Sequence, residues 1–161
     1  MVAGADPQRA ATIEPADVGL LHNSSYVVYS QPKYGGRVTH AAPFGPGAAA
    51  VSVTERACKG ALQCDKTQLF IAAPVLANGW AVLGETTKMV AVSTQRIGGI
   101  ASTSSGGAAI ELELMGSVGE TVEMGFMAAT GGIVTVSCEV GMSGRVRMLA
   151  GVSADEACQV V

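Results

Sequence analysis

The chain has 161 residues with 13 acidic and 10 basic side chains, and 48% of it is hydrophobic while only 14% is charged. That balance excludes a disordered polyelectrolyte, and it leaves no basic stripe to displace counterions from a nucleic acid. No apolar run reaches the ~18 residues a membrane-spanning helix needs. Composition therefore names one globular domain over 1–161, with 1–22 partly irregular, and no activity.

Taken in chain order, Pro15–Leu21 offers one helical turn with Pro at its first position, limited by Gly19. Asn23-Ser24-Ser25 matches an N-glycosylation acceptor, which needs a surface loop in a secreted protein. From there the dominant period is two, the spacing that sends alternate side chains to opposite faces of a sheet. Tyr26–Ser30, Gly36–His40 and Ala49–Thr54 read as strands, the last two separated by the breaker Pro43–Gly47. Gln68–Ala73 reads as a buried strand ended by Pro74. Trp80–Leu83 and Met89–Ser93 follow, around the polar turn Gly84–Lys88. Ile97–Gly107 is small and polar after its first residues, and reads as a flexible crossing between two groups of strands.

The second half alternates more strictly. Ala109–Met115 sets Ile110, Leu112 and Leu114 on one face and Glu111 and Glu113 on the other. Thr121–Met127, Ile133–Val140 and Arg145–Leu149 continue the series, with turn signals at Gly116–Gly119, Thr130–Gly132 and Gly141–Gly144. About nine or ten short strands without βαβ alternation predict an all-β, antiparallel sandwich with Greek-key or jelly-roll-like connections.

The four cysteines, Cys58, Cys64, Cys138 and Cys158, allow three pairings, and the local one joins 58 to 64 and 138 to 158. Their spacing is not that of a zinc site, and His22 and His40 lie far from both pairs, so no metal is expected. Nothing after Met1 has the basic and apolar segments of a signal peptide. The compartment stays open, with the secretory route favoured if the disulfides form.

Chemistry is sparse. Neither His22 nor His40 stands in a local pattern that joins a base to a nucleophile, and the glycine pairs read as hairpin turns rather than phosphate loops. Glu111 and Glu113 share a strand face about 7 Å apart, a spacing of interest for glycoside hydrolysis, but that face is also what any half-solvated strand presents. Glu85 is the better acidic candidate, because one loop could hold it with Trp80 and Lys88. Tyr34 and Trp80 sit beside glycines, where exposed rings would suit stacking on sugars; the other reading buries Trp80 in the core. Tyr34, Trp80 and Glu85 are thus the glycan-contact candidates, and no catalytic residue or cofactor is assigned.

The order of segments carries a resemblance. Ile13-x-Pro15-x-Asp17-Val18-x-Leu20-Leu21, Tyr26–Ser30, Val51–Val53, Leu69-Phe70-x-x-Ala73-Pro74-Val75 and Leu83-Gly84-x-x-x-Lys88-Met89 resemble the C-terminal β-domain of raffinose synthase and alkaline α-galactosidase-type glycoside hydrolases. Ile110–Leu114 and Thr135–Cys138 look like that domain's closing strands, whereas the insertion Glu55–Cys64 departs from it. The resemblance implies a module that follows a catalytic barrel and has no hydrolase or transferase activity of its own. The leading expectation is therefore a noncatalytic β-module of a carbohydrate-active protein, packing on a catalytic domain or touching glycan. The alternative is a secreted structural or self-assembling subunit, with copies of itself as partners; low charge and small side chains suit such close packing.

Overall fold

The structure, a computed structural model, describes residues 10–20, 24–31, 37–45, 48, 51–54, 69–88, 91–102 and 109–161. Its strands are β1 (Ala10–Ile13), β2 (Tyr26–Ser30), β3 (Ala42–Phe44), β4 (Val51–Thr54), β5 (Phe70–Pro74), β6 (Ala81–Gly84), β7 (Ile97–Ser102), β8 (Ile110–Met115), β9 (Thr121–Met127), β10 (Ile133–Glu139), β11 (Arg145–Ala150) and β12 (Cys158–Val160). Every pairing among the described residues is antiparallel. The only helical elements among the described residues are 3-10 turns, at Pro15–Val18 and Ala154–Glu156.

Two sheets make the sandwich: one ordered β10-β9-β6, the other β12-β11-β8-β7. The β8–β9 and β10–β11 connections cross between them, so the β8–β11 pair in one sheet encloses the β9–β10 pair in the other, a nesting of the Greek-key and jelly-roll kind. The alternation of β8 explains why it sits here: Ile110, Leu112 and Leu114 are fully buried, while Glu111, Glu113 and Met115 are half-exposed. From the facing sheet Val122, Met124 and Phe126 meet them, and Val146 and Met148 of β11 complete the core. Each such side chain, fully buried, contributes about 1.5–3 kcal/mol.

Strand β6 is buried at all four positions because it has a core on each side. Val82 and the preceding Trp80 face the sandwich, whereas Ala81 and Leu83 pack on Val27, Tyr29 and Ala73. Those partners belong to a third small sheet, β3-β2-β5, which is linked to β6 through the bridge Val75–Ala81. Tyr29 ties the two layers: its hydroxyl donates to the Leu83 carbonyl at 2.5 Å.

The Cys138–Cys158 disulfide joins β10 to β12, the outer strands of the two main sheets on one side. The 20-residue separation makes such a link worth about 3 kcal/mol on the chain-entropy model. Cys58 and Cys64 lie outside the described residues, as do Asn23, His22 and Tyr34.

Three sequence expectations are corrected. Ile97–Ser102, read as part of a flexible crossing, is a true strand at the edge of the four-stranded sheet; backbone pairing with β8 holds it despite its two glycines. Residues 37–40 and 91–93, expected within strands, form none, and Arg37 instead reaches Glu123 at 2.7 Å. Pro43, read as a breaker, lies inside β3, which among the described residues is an edge strand paired with β2 alone, where its missing N–H costs no ladder bond.

Candidate functional site

The densest polar cluster among the described residues sits where the β6–β7 connection meets the β8–β9 turn. Glu85 follows β6 directly, in a tight turn closed by the Lys88 N–H on the Glu85 carbonyl at 2.9 Å. Gln31, just past β2, braces that turn by donating to the carbonyls of Thr86 and Lys88, both at 2.7 Å. The turn leaves β6 through Gly84, whose φ of +85° belongs to glycine; a Cβ there would stand 2.1 Å from the Ala91 carbonyl oxygen.

Arg96 precedes β7 and extends its ladder, since the Met115 N–H donates to the Arg96 carbonyl at 2.8 Å. Its guanidinium curls back into the cluster. Nε donates to Glu85 Oε2 at 3.0 Å, Nη1 to the Met115 carbonyl at 2.6 Å and to Glu120 Oε2 at 3.1 Å, and Nη2 to Glu120 Oε1 at 2.5 Å. Lys88 Nζ lies 2.6 Å from Glu85 Oε1 and 3.7 Å from Glu120 Oε1. The Ser117 N–H adds a bond to Glu120 Oε2 at 3.0 Å. Gly116 makes room for this: a Cβ there would meet Arg96 Nη1 at 2.5 Å and Glu120 Oε2 at 2.7 Å.

Two carboxylates thus face two cations, and the charges cancel. The Arg96 guanidinium holds the Glu120 carboxyl down at about 2, and Glu120 in turn raises the Arg96 pKa further. With Ser93 and Gln95 these groups line a shallow open depression of about 570 Å³. A dissolved ligand would have to displace ion pairs already made, so the arrangement acts chemically as a clasp between two connections.

Of the glycan-contact candidates, Trp80 does not present its ring: it is 5% exposed and packed with Val82 and Leu112 in the sandwich core. Glu85 and Lys88 do come together, but Glu85 is 6% exposed with both carboxylate oxygens engaged. Trp80 is drawn away from them because period two turns it to the opposite side of β6 from Leu83. Glu111 and Glu113 point outward from β8 and pair with Arg147 at 2.9 Å and Arg145 at 2.7 Å, a charged ladder on a solvated face. His40 is exposed, and no group of histidines, cysteines and carboxylates able to hold a metal occurs among the described residues.

Sequence reading missed Arg96 and Glu120. They are 24 residues apart and meet only through the fold; the one local signal is Gly116-Ser117-Val118-Gly119 leading into Glu120, a turn that fixes a carboxylate at its end.

No helix among the described residues is long and apolar enough to cross a membrane. The chain matches no family model, and comparison with curated proteins and with solved structures likewise gives no match.

Proposed function

We propose that this chain is a noncatalytic structural subunit that works through contacts between copies of itself. One observation carries the reading. The charged groups near the depression are spent on one another, whereas several large side chains left in solvent are apolar and gather at turn tips and strand edges. Val118 is 55% exposed, Met142 86% and Val160 78%. They share one end of the sandwich: the Gly116 N–H donates to the Gly144 carbonyl at 3.0 Å, the Gly119 N–H to the Val140 carbonyl at 2.9 Å, and Gly141 lies against Val160. Scattered apolar residues need no explanation, but a gathered set is what contact surfaces use. The Cys138–Cys158 link suits an oxidising, extracellular setting. Light scattering on the full chain at rising concentration tests the reading; a strict monomer throughout removes it.

The same apolar end supports a second reading, an accessory module packed on the catalytic domain of a carbohydrate-active protein, in keeping with the resemblance to the raffinose synthase type of C-terminal β-domain. Direct glycan contact in that reading rests on Tyr34, since Trp80 is buried in the core and Glu85 is held in its ion pairs. A glycan-array screen with a Tyr34→Ala control tests it: binding by the parent that the variant loses supports glycan contact, and no binding by the parent removes it.

A further inference from the structure

The four-stranded sheet has two outer strands, and they are not equivalent. Strand β12 is fastened to β10 by the Cys138–Cys158 bond, and Cys158 Sγ also lies 3.3 Å from the Ser137 carbonyl oxygen. Strand β7 pairs with β8 alone among the described residues. Of the devices that keep a strand edge from pairing with another chain, Ile97-Gly-Gly-Ile-Ala-Ser102 carries no lysine, proline or inward charge, and has only a bulge at its start. The ladder irregularity falls between Ile97 and Gly99, so Gly99–Ser102 remain in regular register with Glu113, Leu112, Glu111 and Ile110. Ile100 stands opposite Leu112 and therefore on the inner face of the sheet, yet it is 48% exposed.

We propose that β7 is the pairing edge for a second copy of this chain, related by a twofold axis through Ile100, so that two four-stranded sheets join into one antiparallel sheet. This inference rests on the self-association proposed above. A strand paired antiparallel with itself sets equal faces opposite each other. With the axis at Ile100, that residue meets its own twin on the inner face, while Gly99 meets Ala101 on the outer face, where both are small. Charge raises no obstacle. Glu111 and Glu113 of the two copies would be separated by three strand spacings, about 14 Å, which exceeds the screening length of ~8 Å at physiological salt. Each is also already paired with an arginine. One short strand buries less than the ~1,000 Å² of a tight complex, so the dimer is weak and concentration-dependent.

The test uses the full chain and three variants. Ile100→Lys sets two ammonium groups on the axis and weakens dimerisation by about tenfold or more; far-ultraviolet circular dichroism checks that it folds. Ile100→Cys brings two thiols across the axis with Cα atoms about 4.5–5.5 Å apart, within disulfide reach, so mild oxidation yields a covalent dimer; Val118→Cys probes the apolar end in parallel. Self-association that ignores Ile100→Lys, together with no Ile100→Cys dimer, overturns the β7 edge and leaves self-association standing. A covalent dimer from Val118→Cys alone also overturns it and moves the interface to the apolar end. A parent chain that stays monomeric at every concentration overturns both.

Discussion

Arg96 and Glu120 form a two-pronged ion pair, Nη2 to Oε1 at 2.5 Å and Nη1 to Oε2 at 3.1 Å, that pins the start of β7 to the turn between β8 and β9. The Arg96 side chain is 15% exposed and that of Glu120 30%, so water weakens the pair only in part. Arg96→Met leaves Glu120 with the Ser117 N–H and a longer Lys88 contact and Glu85 with Lys88 alone, and is expected to cost about 2 kcal/mol in urea unfolding. Glu120→Gln costs less, about 1 kcal/mol, because Arg96 keeps Glu85 as its partner. The acid limb separates them. The Glu120 pKa is about 2 in the folded chain against an ordinary 4.5, so its contribution is complete above that ordinary value and fades as pH falls toward 2. Melting curves of parent and Glu120→Gln should run parallel near neutrality and converge at low pH.

Tyr29 provides the alkaline counterpart. Burial pushes its hydroxyl up to about 12 from the usual 10.0, so folding holds it neutral where the unfolded chain would ionise it. Its share of stability is present below pH 10.0 and is lost as pH rises toward 12. Among the three tyrosines, ultraviolet titration should show one that ionises late, together with unfolding, and Tyr29→Phe should remove that step. The variant also loses the bond to the Leu83 carbonyl, at about 1 kcal/mol.

Glycines at two turns separate steric clash from backbone strain. Gly84 and Gly119 have similar φ, +85° and +77°, but only at Gly84 would a Cβ meet backbone, 2.1 Å from the Ala91 oxygen; at Gly119 nothing lies within 4 Å. Gly119→Ala should cost about 1–2 kcal/mol, the left-handed penalty alone. Gly84→Ala should cost well beyond 3 kcal/mol or prevent folding, since the β6 turn and the Glu85 cluster both depend on it. Thermal melts of the two variants decide.

The single tryptophan reports the core directly. Trp80 should fluoresce at short wavelength, resist acrylamide quenching, and remain unchanged by added oligosaccharide. Trp80→Ala should cost about 3–5 kcal/mol, as truncation of a buried aromatic does.

How much of this was legible in the sequence depends on the physics of each segment. Strands β8 to β11 are amphipathic and half-solvated, so alternation at Ile110, Leu112 and Leu114 marks both their extent and their inward face. Trp80–Leu83 read as an unbroken apolar run because β6 has a core on each side. Strand β7 escaped notice because Gly98, Gly99, Ala101 and Ser102 have no periodic hydrophobicity, and pairing with β8 holds it. The Glu85–Lys88 contact was within reach as neighbours in one turn. The Arg96–Glu120 contact was not, since it exists only when two distant connections meet at one end of the sandwich.

Sedimentation equilibrium of the full chain over a hundredfold range of concentration tests the central claim most directly. Contact between copies predicts a weight-average mass that climbs from the 16.2 kDa monomer toward twice that value, and a climb that Ile100→Lys suppresses. A mass fixed at 16.2 kDa across the whole range would contradict it.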